Sequence, residues 1–146
     1  MSKYNIIFLL LFSNSVFGKS SHECGANYEN RIKDVSKINS LKDVRDVWRK
    51  HKKCLDGETA ESFSIAIGQL LDKNWDQIVG SKLLKEKVTF EALSFGISEV
   101  WEYQMSQRIL KNAKEKCTHP AKRLCEKIVS SDPTLKSNLM SNEEKK

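Results

Sequence analysis

The sequence predicts an all-α protein: a single compact bundle of about five or six helices, stapled by two disulfides, behind a cleaved signal peptide. Three observations predict it. After Gly25 the apolar residues recur at three- and four-residue intervals, the spacing of helices that each bury one face. No stretch alternates as a half-buried strand does, and Asp56-Gly57 lies between two helical patterns instead of two alternating runs. Four cysteines follow the N-terminal apolar run, the even count of a small exported chain with paired thiols.

Residues 1–18 read as the signal peptide. Lys3 supplies the positive start, Ile6 to Phe12 is an unbroken apolar run, and Val16-Phe17-Gly18 ends on a small residue. The apolar run would rise only about 10 Å as a helix, against about 30 Å of membrane hydrocarbon, which argues against an anchor. Residues 19–132 form the helical domain and residues 133–146 a polar tail ending Glu-Glu-Lys-Lys. The chain of 146 residues carries a formal charge of +6, and loss of Lys3 leaves +5 on the exported part. That basicity favours solubility and an acidic partner. Nucleic acid is a poor match for an exported chain without a binding motif for it.

The first clear helix opens at Ser40-Leu-Lys-Asp43, a capping-box-like start. Leu41, Val44, Val47 and Trp48 then form an apolar face that ends near Cys54. Arg45, Arg49, Lys52 and Lys53 make a basic stripe opposite, either a solvated face or a docking face. After the break at Leu55-Asp56-Gly57, Asp56 or Thr59 caps a second helix. Its buried stripe is Phe63, Ile67, Leu70, Leu71, Trp75 and Ile78, and Gly68 leaves room for another helix to approach. Lys82 to Lys87 allows one or two turns. A long helix opens at Thr89 and runs through Phe90, Leu93, Ile97, Val100 and Trp101 to Met105, Ile109, Leu110 and Ala113, with a bend near Tyr103 to Ser106. Cys117 closes it. Thr118-His119-Pro120 starts a last helix with Ala121, Leu124, Cys125, Ile128 and Val129 on its apolar stripe. Asp132-Pro133 stops it.

Four cysteines allow three connectivities, and spacing favours the local one, Cys24–Cys54 and Cys117–Cys125. In the chain-entropy model these loops contribute about 3.7 and about 2.6 kcal/mol. The competing use is a metal site from His51/Cys54 and Cys117/His119, but the spacing fits no common zinc signature. No C-x-x-C redox pair is present.

No Gly-rich phosphate loop, nucleophile elbow or zinc helix occurs, so the sequence reads as a non-enzyme without cofactor or metal. A carboxylate pair is the enzymatic option left. Asp56, Glu58 and Glu61 cluster at a helix start, where the dipole alone accounts for them. Asp72 and Asp76 are expected in solvent. Trp48, Trp75 and Trp101 lie on apolar stripes and are expected in the core, with interface anchoring as the other use. Tyr103 is off-stripe and a surface candidate. The candidate partner-binding residues are therefore Arg45, Arg49, Lys52, Lys53, Asp56, Glu58, Glu61 and Tyr103.

The run Cys54-Leu-Asp-Gly-Glu-Thr-Ala-Glu-Ser-Phe-Ser, followed by Ile67, Leu70, Leu71 and Trp75, resembles a group of small exported bacterial all-α proteins with four cysteines. So does the stretch Asn112-Ala113, Cys117, a Pro, Leu124-Cys125 and Ile128, although Thr118 and His119 here separate Cys117 from Pro120. The broader type is similar to the immunity proteins of type VI secretion systems. That resemblance implies a periplasmic protein that binds a toxic effector, often a cell-wall amidase, and occludes its active site. The shared motif is structural, so it carries over no inhibitory residue. Three other expectations stay open: a secreted or envelope adaptor, structural or virulence-associated protein; a small carrier of an apolar ligand; and extracellular rather than periplasmic residence. The oligomeric state is open too, with a homodimer among the options.

Overall fold

The computed structural model describes residues 24–97 and 101–132. The signal peptide, Val100 and the polar tail fall outside them.

The described chain runs through α1 (Tyr28–Val35), α2 (Leu41–His51), a 3-10 turn at Lys52–Cys54, α3 (Gly57–Lys73) and α4 (Trp75–Val79). A second 3-10 turn at Lys82–Lys85 leads to α5 (Lys87–Gly96), then α6 (Tyr103–Glu115), a third 3-10 turn at His119–Ala121 and α7 (Lys122–Ser130). The helices pack as one all-α bundle around α3, which touches α1, α5 and α6; α2 lies on α5, and α7 lies on α6 and α5.

Each start has a local cause. Ser40 accepts from the Asp43 amide at 3.2 Å, which satisfies one free N–H of α2, and donates its hydroxyl to the Asp43 carboxylate at 2.7 Å; that carboxylate also accepts from the Asn39 amide at 3.2 Å. At α3 the Thr59 hydroxyl accepts from the Asp56 amide at 3.2 Å. Gly57 adopts φ +44°, a left-handed conformation that costs a side-chain-bearing residue extra energy. Ser81 caps the second 3-10 turn through the Leu83 amide.

The core follows the apolar stripes. Val44, Phe63, Ile67, Leu71, Leu93, Ile109 and Leu124 are almost wholly buried. Each such side chain contributes about 1.5–3 kcal/mol relative to exposure. Gly68 does admit a neighbour: a Cβ there would sit 2.8 Å from Met105 Cε and 2.9 Å from Trp101 Nε1. Trp101 uses that approach to donate to the Ser64 carbonyl at 2.8 Å. Gly96 is tighter still, because a Cβ there would overlap the Ile67 side chain.

Two helices are shorter than the periodicity suggests. The second stripe breaks at Asn74, and Trp75 to Val79 continue as α4. Trp75 stays buried and donates to the Lys116 carbonyl at 3.3 Å. The long helix starts two residues before Thr89, ends at Gly96, and resumes at Tyr103. Thr89 is itself fully buried, and Phe90 turns toward α7, where the Arg123 guanidinium lies 3.8 Å over its ring.

The disulfides join Cys24 to Cys54 and Cys117 to Cys125, and among the described residues no cysteine is free. The first ties the chain before α1 to the 3-10 turn that follows α2. Arg31 is buried behind that link and donates to the Cys24 carbonyl. Two disulfides place the folded chain in an oxidising compartment. Among the described residues no helix is long and apolar enough to cross a membrane.

Candidate partner-binding surface

Trp48 is not fully in the core. On α2 it stands beside Val44 and Val47, the face turned to α5 and α3, and it remains half-buried. Its indole lies 6.0 Å from the Phe63 ring and 5.0 Å from the Phe95 ring, centroid to centroid. Phe63 and Phe95 are 6.2 Å apart. These separations fall in the range for favourable aromatic pairs. Phe63 is wholly buried, while Phe95 is 40% exposed. The three rings thus run from the core to the surface between α2 and α5. Sequence reasoning missed Phe95. The signal was its place two residues after Leu93, on the opposite side of the helical stripe.

The basic stripe on α2 is divided by its partners. Arg45 is largely covered; it bonds Glu86 at 3.2 Å and Asp46 at 3.1 Å, so it fastens α2 to the start of α5. Of the four cations of that stripe, Arg45 is thus tied into the fold and is not left free for solvent or a partner. Arg49 reaches the same Glu86 at 4.0 Å and stays exposed. Lys52 and Lys53 are exposed in the 3-10 turn. Arg49 and Lys52 follow Trp48 by one and four positions, which sets Lys52 about one turn along the same face. Lys52 therefore lies about one turn beyond Trp48, whose pairing with Phe95 opens to solvent at Phe95.

Asp56, Glu58 and Glu61 stand exposed at the start of α3, next to that turn. Glu58 is engaged: it accepts from the Tyr28 hydroxyl at 2.6 Å, and this bond raises the phenol above its ordinary range. It holds α1 against α3. Tyr103 is 75% exposed at the start of α6, on a helix that packs on α3 and α7, and has no hydrogen bond to the other candidates. Arg49, Lys52 and Lys53 are exposed at the end of α2 and in the turn after it, on the segment that carries Trp48, while Tyr103 stands on α6.

Asp72 is not a free surface carboxylate as expected. Arg108 grips it with two bonds of 2.8 and 2.7 Å, linking α3 to α6 and holding its carboxyl below the usual range. Asp76 is exposed. His51, which the sequence set among lysines, is buried and lies 2.8 Å from Asp34. Hydrogen bonds from His51 and then Lys50 keep the Asp34 carboxyl below its ordinary range. A cleft of about 260 Å³ opens beside them, lined by Asp34, Lys37, Asp43, Asp46, Val47 and Lys50. Its carboxylates are already committed: Asp34 to Lys50 and His51, Asp46 to Lys42 and Arg45, and Asp43 to the α2 cap. A lining of charged side chains suits no apolar ligand. Among the described residues no group of three or more His, Cys, Asp or Glu side chains is placed to hold a metal. His119 is exposed in the turn closed by Cys117–Cys125.

No protein-family model matches the chain, and neither a curated protein nor a solved structure matches it.

Proposed function

We propose that the chain is an exported protein-binding module that acts by covering a partner's surface, in the specific form of a periplasmic immunity protein that occludes the active site of a toxic effector. The observation that supports the reading is the Trp48–Phe63–Phe95 patch, open at Phe95, with exposed Arg49 and Lys52 on the segment that carries Trp48. Trp and Arg are enriched among the residues that dominate binding energy, and such residues act best beside rings that exclude water. The patch is held by Phe63 in the core and by a scaffold with two disulfides. A surface already in its binding shape loses less conformational freedom on association. Occlusion asks nothing else of the binder.

Residues 1–18 supply the export signal in this reading, and the resemblance around Cys54 and Cys117 supplies the immunity form. The test is protection. Cells making the effector in their periplasm should survive when the chain is exported with it, and should die when the exported chain carries Phe95→Ser. Equal survival with either chain, or with neither, contradicts the reading.

A further inference from the structure

The charges are unevenly distributed. The 3-10 turns at Lys82–Lys85 and His119–Ala121 pack against one another, and the starts of α5 and α7 join them at the same end of the bundle. This brings Lys82, Lys85, Lys87, Lys116, Lys122 and Arg123 to one pole, all exposed. The carboxylate within the run, Glu86, is turned to Arg45 and Arg49 on α2. Lys87 and Lys122 meet carboxylates only at 3.8 and 3.9 Å within their own helices, as highly exposed pairs. Among the described residues no carboxylate lies within ion-pair distance of Lys82, Lys85 or Lys116. Thr118 donates to the Val79 carbonyl at 2.8 Å and Trp75 to the Lys116 carbonyl, so the loop that carries Lys116 is fixed to α4.

From this pole we infer a second interaction surface, which docks the protein peripherally on an anionic phospholipid membrane. The residue types decide between membrane and protein. Lysine is depleted in packed protein interfaces, which rely on aromatic anchors and Arg. Here five of the six cations are lysines, the Trp75 ring under the Lys116 loop is buried, and the Phe90 ring is already covered by Arg123. Flexible ammonium groups spread over a rigid end fit a diffuse sheet of phosphate charge. Each lysine near such a surface multiplies partitioning about fivefold, and the attraction fades within about 10 Å at 0.1 M salt. The aromatic patch carries the protein partner and the basic pole the membrane, so the two readings stand separately.

The test uses the protein as isolated from cells that export it, with its N-terminus read by mass spectrometry. It is sedimented with vesicles of pure phosphatidylcholine and of phosphatidylcholine with about one third phosphatidylglycerol. The expected result is binding to the anionic vesicles alone, lost when salt is raised tenfold. Lys82→Glu/Lys85→Glu should weaken binding by more than tenfold, whereas Lys33→Glu/Lys37→Glu, with the same change in charge, should weaken it by less than threefold. Helical circular dichroism checks that both variants are folded, the result expected for exposed lysines. Binding to neither vesicle, equal binding to both, or equal loss in both double variants overturns the inference.

Discussion

Gly96→Ala should destabilise the fold, although alanine is the better helix former. Gly96 is the last residue of α5, and its carbonyl accepts from the Ser64 hydroxyl at 2.6 Å. An added Cβ would overlap the Ile67 side-chain end and sit 3.0 Å from Ile67 Cβ and 3.1 Å from Cγ1. Ile67 is fully buried on α3, so its Cβ has nowhere to go. Overpacking of this kind costs about 1–3 kcal/mol. Removing a glycine from a helix returns at most about 1 kcal/mol, and less at a helix end. The net expectation is about 1–2 kcal/mol of lost stability, or about 4–8 °C in melting temperature. Ile67→Val removes the atom that overlaps and by itself costs about 0.5–1.5 kcal/mol. The double variant should therefore lose less than the sum of the two, by about 1 kcal/mol. Urea unfolding of the oxidised protein and its three variants measures the cycle. Gly80→Ala is the control, since its nearest neighbour would be the Asp76 carbonyl oxygen at an ordinary 3.6 Å. A Gly96→Ala protein as stable as the parent, or strict additivity in the cycle, would refute the close packing of α5 on α3.

Other perturbations follow from the same contacts. Replacing both Cys24 and Cys54 by serine should cost about 3–4 kcal/mol by the loop-entropy model, and replacing both Cys117 and Cys125 about 1 kcal/mol less; denaturant midpoints read the order. Because Arg108 depresses the Asp72 carboxyl, that pair stabilises the fold above the ordinary aspartate pKa of about 4 and stops doing so as pH falls through the lower folded value. Asp72→Asn should thus cost up to about 1 kcal/mol at neutral pH, since Arg108 is half exposed, and the gap from the parent should close below about pH 4 in acid titrations of stability. Phe95→Ser should leave the helical spectrum intact and shift the melting temperature by only a few degrees, because the ring is 40% exposed.

Much of the fold was legible in sequence because it is written in local spacing. Leu41, Val44 and Val47, and Ala121, Leu124, Cys125 and Ile128, are buried in the periodic order their positions imply. Ser40 caps its helix as its place before Asp43 suggests, and the cysteines join their sequence neighbours. What escaped was set by tertiary contact. The break at Asn74 has no proline to mark it and preserves the apolar pattern through Trp75 and Ile78. The ion pairs Arg45–Glu86 and Asp72–Arg108 join residues 41 and 36 positions apart, beyond any local pattern. For the candidate surface, Arg49, Lys52 and Lys53 were legible as exposed cations. Phe95 was not, because an aromatic off the stripe gains meaning only when α2 brings Trp48 beside it.

The central claim is that the aromatic patch between α2 and α5 binds a protein. The most direct measurement is the affinity of the oxidised chain and of its Phe95→Ser variant for the protein that each retains from the envelope fraction of the exporting cells. The account predicts one stoichiometric partner, bound at least about 30-fold more weakly by Phe95→Ser, the loss expected of a central anchor worth about 2 kcal/mol. A partner bound equally by both chains, or no partner for either, would contradict it.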